Sequence, residues 1–405
     1  MNRYHVVVIG GGPIGSVAAR RAAEAGARVL LIERRESTSG PSPCTGLVSS
    51  RTLPALGTSE SSVLRRIRSV EAHAPDGRRL VFRAEGEKAV VLDRVRLEAE
   101  LQTRAREAGV IVRLGQEAVE VRPGGVELRS SRGPETIACG VVVIAAGLNG
   151  VPGATPVLPS PPRLFRAAQA VVDQEAPHPD EIRVYLGRSV APGFFGWSVP
   201  AEPGRTRVGL AVPPGIDPAP YLERLLRLRF GNSPIRSRAF GRIPIGPVRD
   251  PLGEGLLLVG DAAGHVKPLS GGGLYTGAIC ARIAGRIAAR AALSEQTRRE
   301  DLSAYPIACD RAIGGEVRFG LAARDLLESL SDEGISDAFA ALDQPDLLRF
   351  LAEAGDIDRL RSLPRHLARE RGLWKRLLPL LRLLDRHLAA RSADSSVAAA
   401  TADSL

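Results

Sequence analysis

The sequence predicts a mixed α/β and α+β fold: a Rossmann-like dinucleotide-binding domain, an inserted antiparallel-sheet domain and a C-terminal helical region. Three observations point there. A glycine-rich strand–turn–helix unit opens the chain at residues 6–35, a second glycine-rich unit follows residue 255, and a strand-rich, proline-punctuated stretch lies between them. With 405 residues, 44% hydrophobic and 25% charged, the chain is long enough to bury the cores of more than one domain.

The first unit begins with "HVVVIG", a β-branched run that reads as a buried parallel strand. Gly10-Gly11-Gly12-Pro13-Ile14-Gly15 then opens an alanine- and arginine-rich helix from Ser16 to Ala25. Gly10 permits the tight turn, Gly12 lets the backbone approach a pyrophosphate, and Gly15 lets the helix pack closely on the strand. The next strand, "RVLLIE", ends at Glu33, whose carboxylate can accept the hydroxyls of an adenosine ribose, with Arg34 beside it. FAD and NAD both fit this unit.

Residues 51–92 and 151–244 read as a substrate-binding sheet domain, with a proline-rich crossing near residue 150. Between them, residues 93–150 return to the dinucleotide domain. Arg94 opens a helix with Leu97, Leu101 and Ala105 on one face; hairpin strands carrying Val119 follow, and a buried strand runs into Ala145, Ala146 and Gly147. Residues 245–297 complete that domain. There "GLLLVG" delivers Gly260 and Asp261, and a turn through Pro268, Gly271, Gly272 and Gly273 opens a small-residue helix at Leu274. A second binding edge so far along the chain suits a long dinucleotide: Asp261 can hold a ribityl hydroxyl, and the helix N-terminus can face a flavin's electron-rich edge. Residues 298–391 read as helical and 392–405 as a polar, disordered tail.

Composition excludes several classes. The net charge of +10 comes almost wholly from dispersed arginine, lysine standing only at positions 88, 267 and 375, and no nucleic-acid module is visible. Cys44, Cys139, Cys280 and Cys309 lack metal-ligand or disulfide spacing, so reduced thiols and no metal are expected; His265 lies in the second glycine-rich turn and reads equally as a structural residue or as part of the site. No leader and no apolar run near the roughly 18 residues of a membrane span is seen, which predicts a cytoplasmic protein. One segment leaves peripheral contact with the inner face of the cell membrane open: Leu373, Leu377, Leu380, Leu381, Leu384 and Leu388 share a helical face opposite Lys375, Arg382 and Arg386, with a kink expected at Pro379. The more ordinary reading is that the same leucines pack on the protein, closing the substrate pocket or a dimer contact. No oligomeric state is implied.

Across residues 5–295 these motifs resemble the geranylgeranyl reductase family of FAD-dependent oxidoreductases, within the p-hydroxybenzoate hydroxylase-like flavoprotein fold. The resemblance implies bound FAD, Arg94 reaching its phosphates, and Cys44-Thr45-Gly46 near the flavin. Phe195-x-Trp197-x-Val199-Pro200 is similar to the family's aromatic pattern that lines an apolar pocket. Cys44, Phe195 and Trp197 are thus the catalytic candidates for C=C reduction of a polyprenyl lipid, with NAD(P)H or a ferredoxin-like protein as external donor. Two alternatives share the fold: a halogenase or monooxygenase of an aromatic or terpenoid compound, and a flavin electron carrier without its own turnover. Ala146-Gly147 replaces the Asp-Gly pair usual in hydroxylases, and Phe195 stands where halogenases carry Trp.

Overall fold

The computed structural model describes residues 3–37, 44–131, 133–151, 153–154 and 159–370. The chain divides into two compact units, one of Met1–Arg66, Ala89–Ala167 and Ala239–Leu321, the other of Ile67–Lys88, Ala168–Arg238 and Ala322–Leu405.

In the first unit, β1 (Tyr4–Ile9), α1 (Pro13–Glu24), β2 (Val29–Glu33), α2 (Arg94–Glu107), β3 (Ile111–Leu114), β4 (Gly133–Ile144), β5 (Leu256–Leu258) and α3 (Leu274–Leu293) form the dinucleotide framework. The strands are parallel in the order β3-β2-β1-β4-β5. Both faces of this sheet are covered, which is why residues 6–9 of β1 and 29–32 of β2 are continuous apolar runs rather than alternating. Val6, Val8, Val29 and Leu31 pack into one cluster with helix residues such as Val17, Ala18 and Ala284. Val7, Ile9, Leu30 and Ile32 enter a second cluster with Val121, Val126 and Leu128 of the strands Glu117–Arg122 and Gly125–Ser130. β4 serves both layers: Gly133–Ala138 pairs antiparallel with that hairpin, and Cys139–Ile144 pairs parallel with β1.

Small residues set how closely α1 and α3 approach. A Cβ at Gly285 of α3 would collide with the Ala18 carbonyl of α1 and lie 2.9 Å from the Arg21 Cβ. One at Gly277 would lie 2.8 Å from the Ile14 Cδ1.

The second unit carries most of a seven-stranded sheet in the order Ile235–Ile245, Arg163–Val172, Thr206–Val212, Gly196–Pro200, Glu181–Tyr185, Ser69–His73, Arg79–Arg83. Two features depart from expectation. Glu181–Tyr185 pairs parallel with Ser69–His73, so the sheet is not wholly antiparallel; these strands lie far apart in sequence, and no hairpin dictates their direction. Ala219–Phe230 is a helix inside the strand-rich stretch, and its Leu222, Leu225 and Leu226 pack on Ala168, Ala170, Val208 and Leu210. The division also places residues 51–66 and 89–92 in the first unit, where Leu53, Ala55, Leu56 and Val90 join the dinucleotide core. Helices Ala304–Cys309, Gly315–Ser329, Asp332–Leu342, Pro345–Ala354 and Leu363–Arg369 follow. The leucine-rich stretch from Leu373 and the tail at 392–405 lie outside the described residues. Among the described residues no helix is long and apolar enough to cross a membrane.

Gly285→Val is expected to destabilise the protein by about 1–3 kcal/mol through overpacking at the α1–α3 contact, read as a lowered midpoint in thermal or urea unfolding. An unchanged midpoint would show that the helices have room to separate.

Candidate dinucleotide site

The site starts from backbone contact at the crevice between β1 and β4, where the strand order reverses and dinucleotides bind in open α/β sheets. Gly10 holds a φ of +105°, and a Cβ there would lie 2.5 Å from the Ala145 carbonyl oxygen. The Ala145 N–H donates to the Ile9 carbonyl at 2.8 Å, so the ends of both strands are tied together. Gly15 is closed in as well, a Cβ there lying 3.2 Å from that of Ala145. Gly12 is the contrast: a Cβ would meet nothing within 4 Å. The loop is therefore packed at Gly10 and Gly15 and open at Gly12, next to the first-turn amides of α1. This is the form a pyrophosphate cradle takes. Pro13, at the first helical position, removes no needed donor.

Glu33 is buried, and its carboxylate accepts the Gly11 N–H at 2.8 Å and the Arg35 N–H at 2.9 Å. The residue read as a ribose acceptor thus also fixes the glycine loop. The Gly11 carbonyl is held from the other side by Gln102 Nε2 at 2.9 Å and Ser16 Oγ at 3.2 Å, two residues that sequence reasoning missed. Arg34 lines an open cavity of about 540 Å³ with Arg35, Arg129 and Ser131, and Val119 lies half-buried in the neighbouring strand Glu117–Arg122.

The second glycine motif meets the first directly. Gly260 has a φ of +71°, and a Cβ there would lie 3.0 Å from the Ile14 Cγ2. Ile14 is thereby seated between Gly260 and Gly277. Asp261 lies over Gly273, with Oδ1 2.9 Å from where a Cβ would stand. The loop through Pro268 is tied off by Lys267 N–H to the Gly272 carbonyl at 3.0 Å and by Gly271 N–H to the Lys267 carbonyl at 2.9 Å. Gly273 then caps Leu274, the first residue of α3.

A chain of charges joins these parts. Arg35 donates to Glu33 at 3.1 Å and to Glu98 at 3.0 Å, and Glu98 accepts Arg94 Nη2 at 2.9 Å. Arg94 stands at the start of α2, whose N-terminus is capped by the Asp93 carboxylate. Burial pulls the Arg94 pKa down, but Cys44, to which it hydrogen-bonds, and Glu98 outweigh this and leave it raised: the side chain is a fixed cation. Its charge also reaches Asp261, whose pKa burial raises against the pull of Arg94. Arg94 Nε is buried with no hydrogen-bond partner among the described residues, an orphaned donor of the kind an incoming anion satisfies. Cys44 Sγ in turn accepts the Gly46 N–H at 3.4 Å, and Gly46 adopts a φ of +77°. Cys44, Arg94 and Asp261, distant in sequence, are therefore electrostatic neighbours.

Phe195 and Trp197 belong to the second unit. Phe195 stacks on Phe194 at 4.6 Å and meets Trp197 edge-on at 6.1 Å. The indole N–H donates to Gln169 at 3.3 Å, and its ring covers Gly209, where a Cβ would approach the indole Cζ2 to 2.6 Å. In the same unit, Lys88 Nζ is occupied by the Glu353 carbonyl at 2.5 Å.

The four cysteines are free thiols, and burial pushes that of Cys139 up to about 12. Their spacing conceals one grouping: His265, Cys280 and Cys309 bring their ligand atoms within 4.8 Å of one another, all buried. The Cys280 thiol is pushed well up by its hydrogen bond with Cys309 and by burial. His265 Nδ1 accepts the Gly260 N–H at 3.3 Å, and burial lowers its pKa to about 4. A neutral imidazole therefore braces the turn that presents Asp261.

A family model described as pyridine nucleotide-disulphide oxidoreductase matches residues 4–177. Digeranylgeranylglycerophospholipid reductase 2 of Methanothermobacter thermautotrophicus is 34% identical over 85% of this chain and 93% of its own. The reductase of the same name from Methanopyrus kandleri is 31% identical over 86% and 92%. Among solved structures, a geranylgeranyl bacteriochlorophyll reductase-like protein from Thermoplasma acidophilum superposes with a TM-score of 0.80 at 22% identity, covering 95% of this chain and all of that one. The myxobacterial chondrochloren halogenase CndH shares the fold, with a TM-score of 0.66 at 18% identity over 94% and 97%.

Because His265 is buried neutral, its folded pKa lies below the ordinary value of 6.5, and it contributes stability above pH 6.5 that is lost as pH falls toward about 4. The melting temperature should drop across that window, and His265→Gln should flatten part of the drop. Parallel pH profiles for the two proteins would contradict the assignment.

Proposed function

The chain belongs to the family of digeranylgeranylglycerophospholipid reductases, and from that premise we propose that it is an FAD-dependent oxidoreductase that saturates C=C bonds in the polyprenyl chains of a glycerophospholipid. The observation that carries the reading is near-full-length kinship with reductases of that name, joined to a site whose residues fit the cofactor. Glu33 would hold the adenosine ribose. Gly12, the first-turn amides of α1 and the orphaned Arg94 Nε would hold the pyrophosphate, and Asp261 the ribityl chain. Thr45, Gly46, Ala145, Ala146, Gly147 and the turn from Pro268 to Leu274 would line it.

FAD, when bound, supplies the hydride for one alkene carbon after reduction by an external donor, NAD(P)H or a ferredoxin-like protein. The chain's own task is the proton. Cys44 delivers it from its thiol to the other alkene carbon, so that hydride and proton together add two hydrogens. The thiolate left behind is stabilised by the Arg94 guanidinium, a permanent cation already hydrogen-bonded to that sulfur. Phe195 and Trp197 supply an apolar aromatic wall for the prenyl chain, and the indole N–H is kept occupied by Gln169 rather than left unpaired beside hydrocarbon. The substrate is drawn from a membrane, which the protein meets peripherally at its cytoplasmic face.

The purified, FAD-loaded protein, reduced anaerobically, should convert digeranylgeranylglycerophospholipid into products heavier by steps of two hydrogens. Unchanged lipid beside stably reduced flavin would refute the reading. Cys44→Ala should keep FAD yet slow product formation by about tenfold or more, the lower range for loss of a positioned proton donor. Arg94→Met should weaken FAD binding by about ten- to a hundredfold, the range for a lost charged hydrogen bond, as measured by flavin release on dilution. Wild-type retention in that variant would remove Arg94 from the cofactor grip.

A further inference from the structure

Arg324, on the helix Gly315–Ser329, is the largest fully buried side chain among the described residues, at 0% exposure. Removing a guanidinium from water is tolerated only where hydrogen bonds and a polarizable surface replace its hydration. Here Nη1 donates to the Gly193 carbonyl at 2.7 Å, and the guanidinium carbon stands 3.9 Å from the centre of the Phe194 ring. Phe194 is itself buried, stacks on Phe195 at 4.6 Å, and through Phe195 meets Trp197.

Phe194 and Phe195 lie on the loop between the strands Glu181–Tyr185 and Gly196–Pro200, and Trp197 on the second of those strands, paired with Val184 and Gly209. The loop makes two successive turns, with Ala191 N–H bonded to the Gly187 carbonyl and Phe194 N–H to the Ala191 carbonyl. Gly193 then takes a φ of +66°, which turns its carbonyl toward Arg324. The start of the loop is tied separately, by Arg188 N–H to Asp332 Oδ1 at 2.7 Å. One cation thus holds both the backbone and the first ring of a stack that ends at the indole.

We propose that Arg324 is a positioning residue for substrate: by clamping Gly193 and Phe194 it sets the tilt of Phe195 and Trp197 and so the shape of the wall against which a prenyl chain lies. This rests on the reading that Phe195 and Trp197 face the substrate. A planar, forked cation is required, because lysine cannot hydrogen-bond the carbonyl and stack on the ring in one pose.

The test uses full-length, FAD-loaded protein carrying Trp374→Phe, so that Trp197 is the sole indole. Arg324→Met, Arg324→Lys and Phe194→Leu are compared in that background. Arg324→Met should alter the near-ultraviolet circular dichroism of Trp197. It should also raise KM for digeranylgeranylglycerophospholipid by roughly tenfold or more, as misplacement of a binding wall does. Donor-driven flavin reduction and kcat should stay within about threefold of the parent, and Arg324→Lys should recover only part of the KM. A parent-like indole spectrum overturns the proposal, as does a lower kcat with KM unchanged, the mark of a merely structural residue. Should Arg324→Met fail to fold, Phe194→Leu decides, because it keeps the Gly193 bond and removes the stack: parent-like spectrum and KM would overturn the clamp. If the parent reduces no prenyl lipid while the indole spectrum still follows Arg324, the clamp stands and the substrate assignment fails.

Discussion

The contact between α1 and α3 is the constraint on which the cofactor site depends. α1 follows the first glycine motif and α3 follows the second, and they touch through Gly277 and Gly285 with no room for a methyl group. That closeness seats Ile14 against Gly260, so two motifs at opposite ends of the dinucleotide unit become edges of one crevice. Were the helices held apart, each motif would remain a well-formed turn, but the two would no longer meet.

Electrostatics completes what packing begins. Glu33, Arg35, Glu98 and Arg94 alternate in sign, each bonded to the next. Glu33 and Glu98, buried singly, would be costly charges; bonded to the partly exposed Arg35 and to Arg94, they are compensated. The chain ends at Arg94 with a donor unspent and a thiol at its side. In the proposed reaction, a cation beside this thiol suits delivery of its proton, since the product of the transfer is the charged form.

Much of this was legible in the sequence because it is local. Gly10, Gly12 and Gly15 announce a turn by their spacing alone, and the β-branched runs before them announce strands buried on both faces. Glu33 was legible as an acceptor but not as the partner of Gly11, since that bond exists only once β2 lies beside β1. Glu98 and Gln102 looked like ordinary polar positions of an amphipathic helix; only the placement of α2 against the glycine loop gives them work. The helix Ala219–Phe230 was hidden by the strand-rich residues around it, although its leucines keep helical spacing. His265, Cys280 and Cys309 meet through tertiary packing that no spacing rule reports, and Arg324 reads as one more arginine in an arginine-rich chain.

The most direct test of the account is a crystal structure of the FAD-loaded protein. Pyrophosphate density is expected against Gly12 and the first turn of α1, with Arg94 bonded to it, the adenosine ribose on Glu33 and the ribityl chain on Asp261. A pyrophosphate away from Arg94, or a ribityl chain that leaves Asp261 without a ligand contact, would contradict the claim that the two motifs and the charge chain between them form one grip.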